Sequence, residues 1–276
     1  MTIVFYYYKI TIINEPKGLK MKIHNIPQHT ICGEDAEAIN CAVANWKQMS
    51  HEERKAFIDS ININTNPDWI EVRAGKFTAS KASEFLADSR AKGETLGDSA
   101  KNLCHRVLAE QAGWREERNP YMEYAGIRRG LVFEPIARKL AEEKLGETIT
   151  ECGFVEDDTF GLFGCSPDGL IMKDGKIDAV IEIKCPEPMS FYKQLMDCAK
   201  KEYQQQMQFA CNVCDCPRAY FVLYCPEVSD RVYVLKYTRG WAFQNKIDKR
   251  KIEVMEYIGT VQNQVASGDI NIPTLE

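Results

Sequence analysis

The chain has 276 residues and a formal net charge of −5 at pH 7, with 45% hydrophobic, 27% charged and 10% aromatic residues. This composition excludes a disordered, collagen-like or coiled-coil chain. The acidic balance argues against a protein that coats nucleic acid with a uniformly basic surface, but it leaves room for a local basic channel.

The N-terminal stretch and the cysteines indicate the cellular compartment in which we expect the protein. The eleven cysteines are scattered along the chain and no secretory signal precedes them, so we expect reduced thiols in a cytoplasm. The apolar run at residues 3–13 contains Lys9 and is far shorter than the roughly 20 residues that a membrane helix needs. We expect a strand or a dispensable extension there, and no membrane contact. Whether Met21 is the natural start stays open.

A first helix is predicted over residues 34–60, where Ile39, Val43 and Trp46 repeat at helical spacing. A polar, turn-rich segment follows at 62–68, and we place a boundary there. Residues 1–66 then form a small N-terminal accessory segment of strand plus helix, whose role the sequence does not state. Residues 67–276 form the main domain.

The main domain begins with helices and then changes to strands. Helices are predicted over 82–86, 99–111, 121–145 with a break or restart near Pro135, 190–213 and 241–264. Short β-rich runs at 148–155, 162–165, 170–172 and 179–184 indicate an antiparallel meander, and further strands are predicted at 218–225 and 231–237. This order predicts an α/β fold with a central mixed sheet and helices on both faces.

The most informative pattern is Ser166-Pro167-Asp168-Gly169 followed, after a predicted hairpin, by Glu182-Ile183-Lys184. Along a strand, Glu182 and Lys184 project from one face about 6.7 Å apart. A strict two-residue turn would place Asp168 opposite Ile181, on the wrong face. We therefore predict a three-residue loop with a bulge or bend, which pairs Asp168 with Glu182.

Two converging carboxylates repel each other and favour a cation. With oxygen ligands and no nearby histidine, that cation is expected to be Mg²⁺ or Mn²⁺ rather than Zn²⁺. Such an ion polarises a phosphoryl oxygen and acidifies a water, while Lys184 positions that water or stabilises developing charge. The chemistry is phosphodiester hydrolysis. Spacing alone, however, favours an ordinary cross-strand surface pair of Glu182 and Lys184.

The wider sequence context reverses that preference. The motif, SPDG followed by EIKCP, resembles the PD-(D/E)XK nuclease signature, and in particular the lambda-exonuclease-like (YqaJ) viral recombinase family. Other pieces lie in that family's order within residues 69–228: W-x-x-x-R-x-G-x-x-T-A-S from Trp69, G-x-x-x-E-P-x-A-R from Gly130, and Y-x-x-Q-x-Q from Tyr203. The resemblance implies a restriction-endonuclease-like core and a metal-dependent exodeoxyribonuclease.

The resemblance also implies a metal site. By this likeness Asp168, Glu182 and the backbone carbonyl of Ile183 hold Mg²⁺, for which Mn²⁺ can substitute, and Lys184 is the catalytic lysine. Glu134 matches the family's helical glutamate, which reaches the metal directly or through water. A structural alternative for Glu134 is an acid at a helix N-terminus, favoured there by the helix dipole.

Five further residues match positions that contact substrate in the family. Tyr203 and Gln206, one helical turn apart, look like the pair that contacts the substrate phosphate and the nucleophilic water. Arg73 resembles the arginine that binds the terminal 5′-phosphate, with Ser80 and Ser166 as hydroxyl donors. A solvated arginine, a helix cap at Ser80 and a turn former at Ser166 are the structural alternatives.

The resemblance implies that the enzyme digests one strand of double-stranded DNA from a 5′ end and leaves a 3′ single-stranded tail. It also implies a homotrimeric ring, a single-strand annealing protein as partner, and a phage or prophage gene acting in bacterial cytoplasm. The rivals are an endonuclease of restriction or repair type on the same fold and a catalytically silent DNA-binding subunit.

Two remaining groups carry weaker signals. Cys211, Cys214 and Cys216 lack a well-placed fourth cysteine, so a structural role is favoured over a metal or cluster site. Basic residues that could line a DNA groove are Lys76, Lys81, Arg90, Lys92, Arg128 and Arg129.

Overall fold

A computed structural model of the chain describes residues 21–27, 29–31, 35–61, 63–115, 124–157 and 160–268. The extension predicted at 3–13 lies outside these residues. Among the helices described, none is both long enough and apolar enough to cross a bilayer.

The elements alternate between helices and short strands along the chain. The strands are β1 (Met21–His24), β2 (His29–Ile31), β3 (Ile63–Thr65), β4 (Phe77–Thr78), β5 (Phe154–Asp157), β6 (Phe163–Cys165), β7 (Gly169–Lys173), β8 (Lys176–Lys184), β9 (Arg218–Leu223) and β10 (Tyr233–Thr238). The helices are α1 (Asp35–Ala44), α2 (His51–Ser60), α3 (Pro67–Arg73), α4 (Ala82–Phe85), α5 (Asp98–Gln111), α6 (Tyr124–Leu145), α7 (Pro188–Met196), α8 (Lys201–Val213) and α9 (Trp241–Ser267), with a 3₁₀ turn at Ala79–Lys81.

Two four-stranded sheets of mixed direction form the framework, in the orders β1-β5-β6-β4 and β10-β9-β8-β7. The prediction of one meander over 148–184 is therefore wrong, because β5 and β6 belong to one sheet and the β7–β8 hairpin to the other. The chain changes sheets at Ser166-Pro167-Asp168, where proline has no N–H to continue a ladder. The predicted mixed α/β architecture is confirmed.

The single helix predicted over 34–60 is wrong, since α1 and α2 are separate. Ser50 is the N-cap of α2 and forms a capping box with Glu53. Its hydroxyl accepts from the Glu53 N–H at 3.2 Å, and the Glu53 carboxylate accepts from the Ser50 N–H at 2.7 Å. The accessory segment joins the rest of the protein through β1, which pairs antiparallel with β5.

Two other helix predictions need correction. The long helix predicted over 190–213 is broken between α7 and α8, where Cys198 and Ala199 have φ of 51° and 73°. An α-helix of L-residues cannot propagate through that left-handed conformation. Conversely, α6 runs through Pro135 without a break, and Phe133 and Ala137, on either side of it, are buried. Their packing outweighs the hydrogen bond that proline removes.

The β7–β10 sheet has a different apolar cluster on each face. Ile181 and Ile183 of β8 pack with Trp46 and α6 residues such as Phe133. Val180 and Phe221 face the other cluster, which includes Phe209 of α8. The alternation predicted for the end of β8 is therefore observed: Ile181 and Ile183 face α6, and the alternate positions, which include Glu182 and Lys184, face α8.

Candidate active site

The β7–β8 hairpin sets the register of the acidic pair. Its turn is the two-residue Asp174-Gly175, with Lys173 opposite Lys176 and both turn residues at positive φ. The register then shifts between Ile171 and Met172, which leaves one extra residue in β8. The predicted bulge is confirmed, although it lies inside the strand and the loop has two residues rather than three.

This extra residue places Gly169 opposite Ile181, so Asp168 comes beside Glu182. The Asp168 N–H donates to the Ile181 carbonyl at 2.9 Å, which fixes its backbone at the end of the sheet. The Asp168 carboxylate accepts from the Ile183 N–H at 2.6 Å. Since the N–H and C=O of one extended residue point to the same side, the Ile183 carbonyl also faces the Asp168 edge.

Lys184 bridges the two acids. Its Nζ lies 2.6 Å from Glu182 Oε1 and 3.9 Å from Asp168 Oδ2. Burial alone would lower the pKa of Lys184, but the charges of Glu182 and Asp168 raise it well above its ordinary value. The lysine is therefore held as a cation between two carboxylates.

Helix α8 covers this cluster with the two residues that the sequence singled out on it. Gln206 donates to both carboxylate oxygens of Glu182, each at 2.8 Å. The Tyr203 ring stacks on Phe221 and lies 5.3 Å from Lys184 Nζ, measured to its centroid. Both side chains thus line the acid–lysine cluster from one helix face.

Glu134 approaches the same cluster from α6. It lies in the middle of that helix, so the alternative of an acid at a helix N-terminus is wrong. Burial raises its pKa, and the negative charge of Asp168 raises it further. Burial likewise raises the pKa of Glu182 despite the opposing charge of Lys184. A Cβ at Gly130, one helical turn before Glu134, would lie 2.7 Å from Glu134 Oε1, so the glycine leaves room for the carboxylate in this position.

The donor set fits a hard divalent cation. Within the described residues, no three His, Cys, Asp or Glu side chains form a group that could hold a metal by themselves. The candidate ligands are instead two carboxylates, Asp168 and Glu182, and the carbonyl of Ile183. All are oxygen donors, which a hard divalent cation prefers, and such a cation would offset the negative charges that Asp168 and the buried Glu182 bring together.

A second cluster contains the three residues predicted at the DNA end. Arg73 donates to the hydroxyls of Ser166 at 2.7 Å and Ser80 at 3.2 Å, and its guanidinium lies 4.1 Å from the centroid of the Trp69 ring. Ser80 caps neither the 3₁₀ turn nor α4, so the capping alternative is wrong. Ser166 stands two residues before Asp168, which places this cationic cluster next to the acids.

Two arginines of α6 that hold the backbone of the site were not identified as such from the sequence. Arg138 donates to the Asp168 carbonyl at 3.2 Å. Arg129 donates to the carbonyls of Cys185 at 2.7 Å and Pro186 at 3.2 Å, directly after Lys184. The sequence offered one signal for Arg138, its place in the Gly130 motif, and none for the partners of Arg129.

Arg129 is only 7% exposed, and protein groups occupy its guanidinium although the residue borders a cleft. Its place in a DNA groove stays a prediction. Arg129 forms two hydrogen bonds with the Glu227 carboxylate, at 2.8 and 2.7 Å. Trp46 of the accessory segment donates to the same carboxylate at 2.8 Å. This Arg129–Glu227–Trp46 cluster links α6, the loop after β9 and the accessory segment near the end of β8.

The cysteines near α8 are closer to a fourth cysteine than their spacing indicates. Cys165 of β6 lies 3.5 Å from Cys214, measured between sulfur atoms, and Cys211 and Cys216 are also buried nearby. Within the described part of the chain these cysteines nevertheless form no group that could hold a metal ion.

More than half of the chain matches the model of a known family. Residues 68–217 match the YqaJ-like viral recombinase domain. No curated protein is significantly similar to the chain.

Two solved proteins share the fold. An alkaline exonuclease (LHK-Exo) from Laribacter hongkongensis is 24% identical with a TM-score of 0.58, and its complex with dAMP is 25% identical with a TM-score of 0.57; both matches cover 74% of this chain and 100% of the other. A phage-related exonuclease from Haemophilus somnus 129PT is 18% identical with a TM-score of 0.52, over 69% of this chain and 96% of the other. Since the matched domain spans more than half of the sequence, the chain belongs to the YqaJ-like viral recombinase family.

Proposed function

We propose that the protein is a Mg²⁺-dependent exonuclease that degrades one strand of double-stranded DNA from its 5′ end. The 3′ single-stranded tail that remains would serve phage-type recombination by strand annealing. The observation that carries this proposal is the convergence of Asp168, Glu182 and Lys184 at the end of β8. Family membership and the likeness to exonucleases support an exodeoxyribonuclease.

Asp168, Glu182 and the Ile183 carbonyl would hold the divalent ion, with Mn²⁺ as a substitute for Mg²⁺. When bound, the ion supplies Lewis-acid polarisation of the scissile phosphate and lowers the pKa of a water. Asp168 is held for this role by the Ile183 N–H, and Glu182 by Gln206. Both carboxylates therefore need little rearrangement to act as ligands.

The remaining side chains would act on the nucleophile and the phosphate. Lys184, held as a cation, orients the attacking water and stabilises the negative charge that develops on the phosphoryl oxygens. Glu134, which approaches the same cluster from α6, would reach the ion directly or through a water. Tyr203 and Gln206 border the same space and would contact the phosphate and the water.

Arg73, Ser80 and Ser166 would bind the terminal 5′-phosphate. A guanidinium can grip a phosphate dianion through two parallel hydrogen bonds, and the hydroxyls add further donors. A site of this kind recognises a chain end because an internal phosphodiester carries only one negative charge. Its position beside Asp168 supports cleavage one step from the end.

The assembly and setting follow from the same family. The protein would form a homotrimeric ring around the duplex, work with a single-strand annealing protein, and act in bacterial cytoplasm as a phage or prophage product. Enclosure would suit a chain with a net charge of −5, since few basic side chains concentrated inside a ring suffice to retain DNA.

The test is digestion of linear duplexes labelled at either 5′ or 3′ terminus, beside nicked and covalently closed plasmid, with and without Mg²⁺. We expect Mg²⁺-dependent release of the 5′ label as mononucleotide, retention of the 3′ label and an intact closed circle. Cutting of the closed circle would instead identify an endonuclease. Binding without any cleavage would identify a silent DNA-binding subunit.

A further inference from the structure

A cleft of about 680 Å³ opens beside the candidate catalytic residues and extends to the accessory segment. One wall carries Glu134, Lys184 and Tyr203. A second part of the lining belongs to the accessory segment, which precedes the matched family domain. Its lining residues there are Trp46, His51, Arg54, Lys55, Ile58 and Asp59.

This wall is rigidly attached. Ile58 of α2 is buried in the cluster that includes Phe133 of α6. Arg54 donates to the carbonyls of Trp46 at 2.8 Å and Lys47 at 3.2 Å. These bonds fix the guanidinium without neutralising its charge, because a carbonyl oxygen carries no net charge. The wall is therefore preorganised, which reduces the entropy lost on binding a ligand.

The face of α2 toward the cleft is basic. His51, Arg54 and Lys55 are three and four residues apart and so lie on one side of the helix. Lys55 pairs with Asp59 at 3.5 Å, but their side chains are 71% and 45% exposed. An exposed pair of this kind is weak, so Lys55 can exchange the carboxylate for a phosphate. Glu227, which also lines the cleft, is already compensated by Arg129.

The position of the cleft indicates which part of the substrate enters it. Arg73, proposed to hold the 5′ end, bonds to Ser166 on the Asp168 side of the acids. Among the described residues, those that line the cleft include Lys184 but neither Arg73 nor Asp168. A strand held at Arg73 and cut at the acids therefore continues toward α2. The volume is within the range of small-ligand pockets, about 300–1,000 Å³, and suits a few nucleotides of single strand rather than a duplex.

We propose that His51, Arg54 and Lys55 of the accessory segment bind backbone phosphates of the single-stranded DNA that leads away from the active site. This inference rests on the proposed nuclease function and assigns a role to a segment outside the matched domain.

The experiment measures DNA affinity of full-length protein carrying Lys184→Ala, which prevents digestion, by fluorescence anisotropy between 50 and 200 mM salt. The probe is a duplex with a 5′-phosphorylated overhang of six nucleotides. Lys55→Ala is compared with Lys249→Ala, a matched control: Lys249 is 75% exposed and pairs with Glu253 at 3.6 Å, also four residues away. Melting temperatures check that all variants fold.

We expect Lys55→Ala to reduce the slope of log Kd against log salt by about 0.7, the value for one phosphate contact with single-stranded nucleic acid, and Lys55→Glu to weaken binding further. Lys249→Ala should match the parent. On a 5′-phosphorylated dinucleotide, which has no phosphate beyond the one to be cleaved, the two lysine variants should bind alike.

Equal slopes of log Kd against log salt for Lys55→Ala and Lys249→Ala would overturn the inference. So would a loss of affinity by Lys55→Ala for the dinucleotide as large as its loss for the overhang. Digestion of the labelled duplex by the otherwise unaltered protein is measured in parallel. If that digestion occurs and the slopes are equal, only the role of α2 falls. If it does not occur, the proposed function falls and the inference with it.

Discussion

Two buried charge clusters lie near the end of β8. One contains Lys184 and the other holds the backbone directly after it, and they differ in how their charges are compensated. In the Arg129–Glu227–Trp46 cluster, burial alone would raise the pKa of Glu227, but hydrogen bonds and charge from Arg129 lower it to about 2. In the acid–lysine cluster, burial and the charge of Asp168 raise the pKa of both Glu134 and Glu182. One lysine there faces three carboxylates.

This difference in charge compensation distinguishes a cluster with a structural role from a cluster suited to chemistry. A buried ion pair whose donors and acceptors are all satisfied holds the surrounding backbone in place. A buried cluster with excess charge of one sign favours a cation, a proton or a phosphate-bound ligand, and such perturbed groups concentrate at functional sites. The Arg129 cluster thus holds the carbonyls after Lys184, while we propose that the acid–lysine cluster acts on the substrate.

The largest effect is expected from removing the lysine. Lys184→Ala should lower Mg²⁺-dependent nucleotide release by at least about 10²–10³-fold, the cost of losing one preorganised charge at a reacting phosphate. Release of labelled nucleotide from a linear duplex measures it. Lys173→Ala, on the same hairpin and paired with Glu147, is the control and should retain activity. Undiminished release by Lys184→Ala would refute the site.

Glu227→Gln should lower the stability of the fold rather than the release of nucleotides. The folded pKa of Glu227, about 2, lies below its ordinary value of 4.5. Its carboxylate therefore stabilises the fold above pH 4.5, and this contribution is lost as the pH falls toward 2. The shift corresponds to about 3 kcal/mol at pH 7.

Chemical denaturation at pH 7 and pH 3 measures this loss, with Glu84→Gln as control. Glu84 pairs with Lys81 on the surface at 2.8 Å, where such pairs contribute about 0–1 kcal/mol. A Glu227→Gln protein as stable as the control at pH 7 would show that the Arg129 cluster is not the structural one.

Arg73→Ala should reduce the preference for 5′-phosphorylated over 5′-hydroxyl ends. A charge-assisted hydrogen bond is worth about 1.5–3 kcal/mol, or roughly a 10- to 150-fold change in preference. Rates on the two kinds of end, measured on the same duplex sequence, give the ratio. Arg115→Ala is the control, since Arg115 pairs with Glu71 on the same helix as Arg73. An equal loss on both ends would assign Arg73 a structural role.

The smallest effect is expected at Gly130. Gly130→Ala places a methyl group 2.7 Å from Glu134 Oε1, so the carboxyl group must shift and nucleotide release should fall. The helix should gain up to about 1 kcal/mol from alanine. Gly126→Ala, where nothing lies within 4 Å of the new Cβ, should gain stability without losing activity. If both variants behave alike, the position of Glu134 is not important.

The register of the site could be predicted because strand geometry left few choices. Alternation fixed the faces of Glu182 and Lys184, and the need to bring Asp168 to that face required the bulge that β8 contains. The family motifs located Arg73, Ser80 and Ser166, which hydrogen bonds now join.

The features that were missed depend on contacts between distant residues or on backbone conformations without a clear sequence signal. Trp46, Arg129 and Glu227 are far apart in the chain, and no pattern pairs them. The break between α7 and α8 lies at Cys198-Ala199, where neither residue type favours positive φ. The division into two sheets likewise depends on β1 and β4, which are short and distant from β5 and β6.

The central claim is that Asp168 and Glu182 hold a hard divalent ion. Calorimetric titration of Mn²⁺ into the protein tests it most directly, with Asp168→Ala, Glu182→Gln and Glu227→Gln compared under conditions where each is folded. We expect the first two variants to lose binding and Glu227→Gln to retain it. Unchanged Mn²⁺ binding by Asp168→Ala and Glu182→Gln would contradict the account.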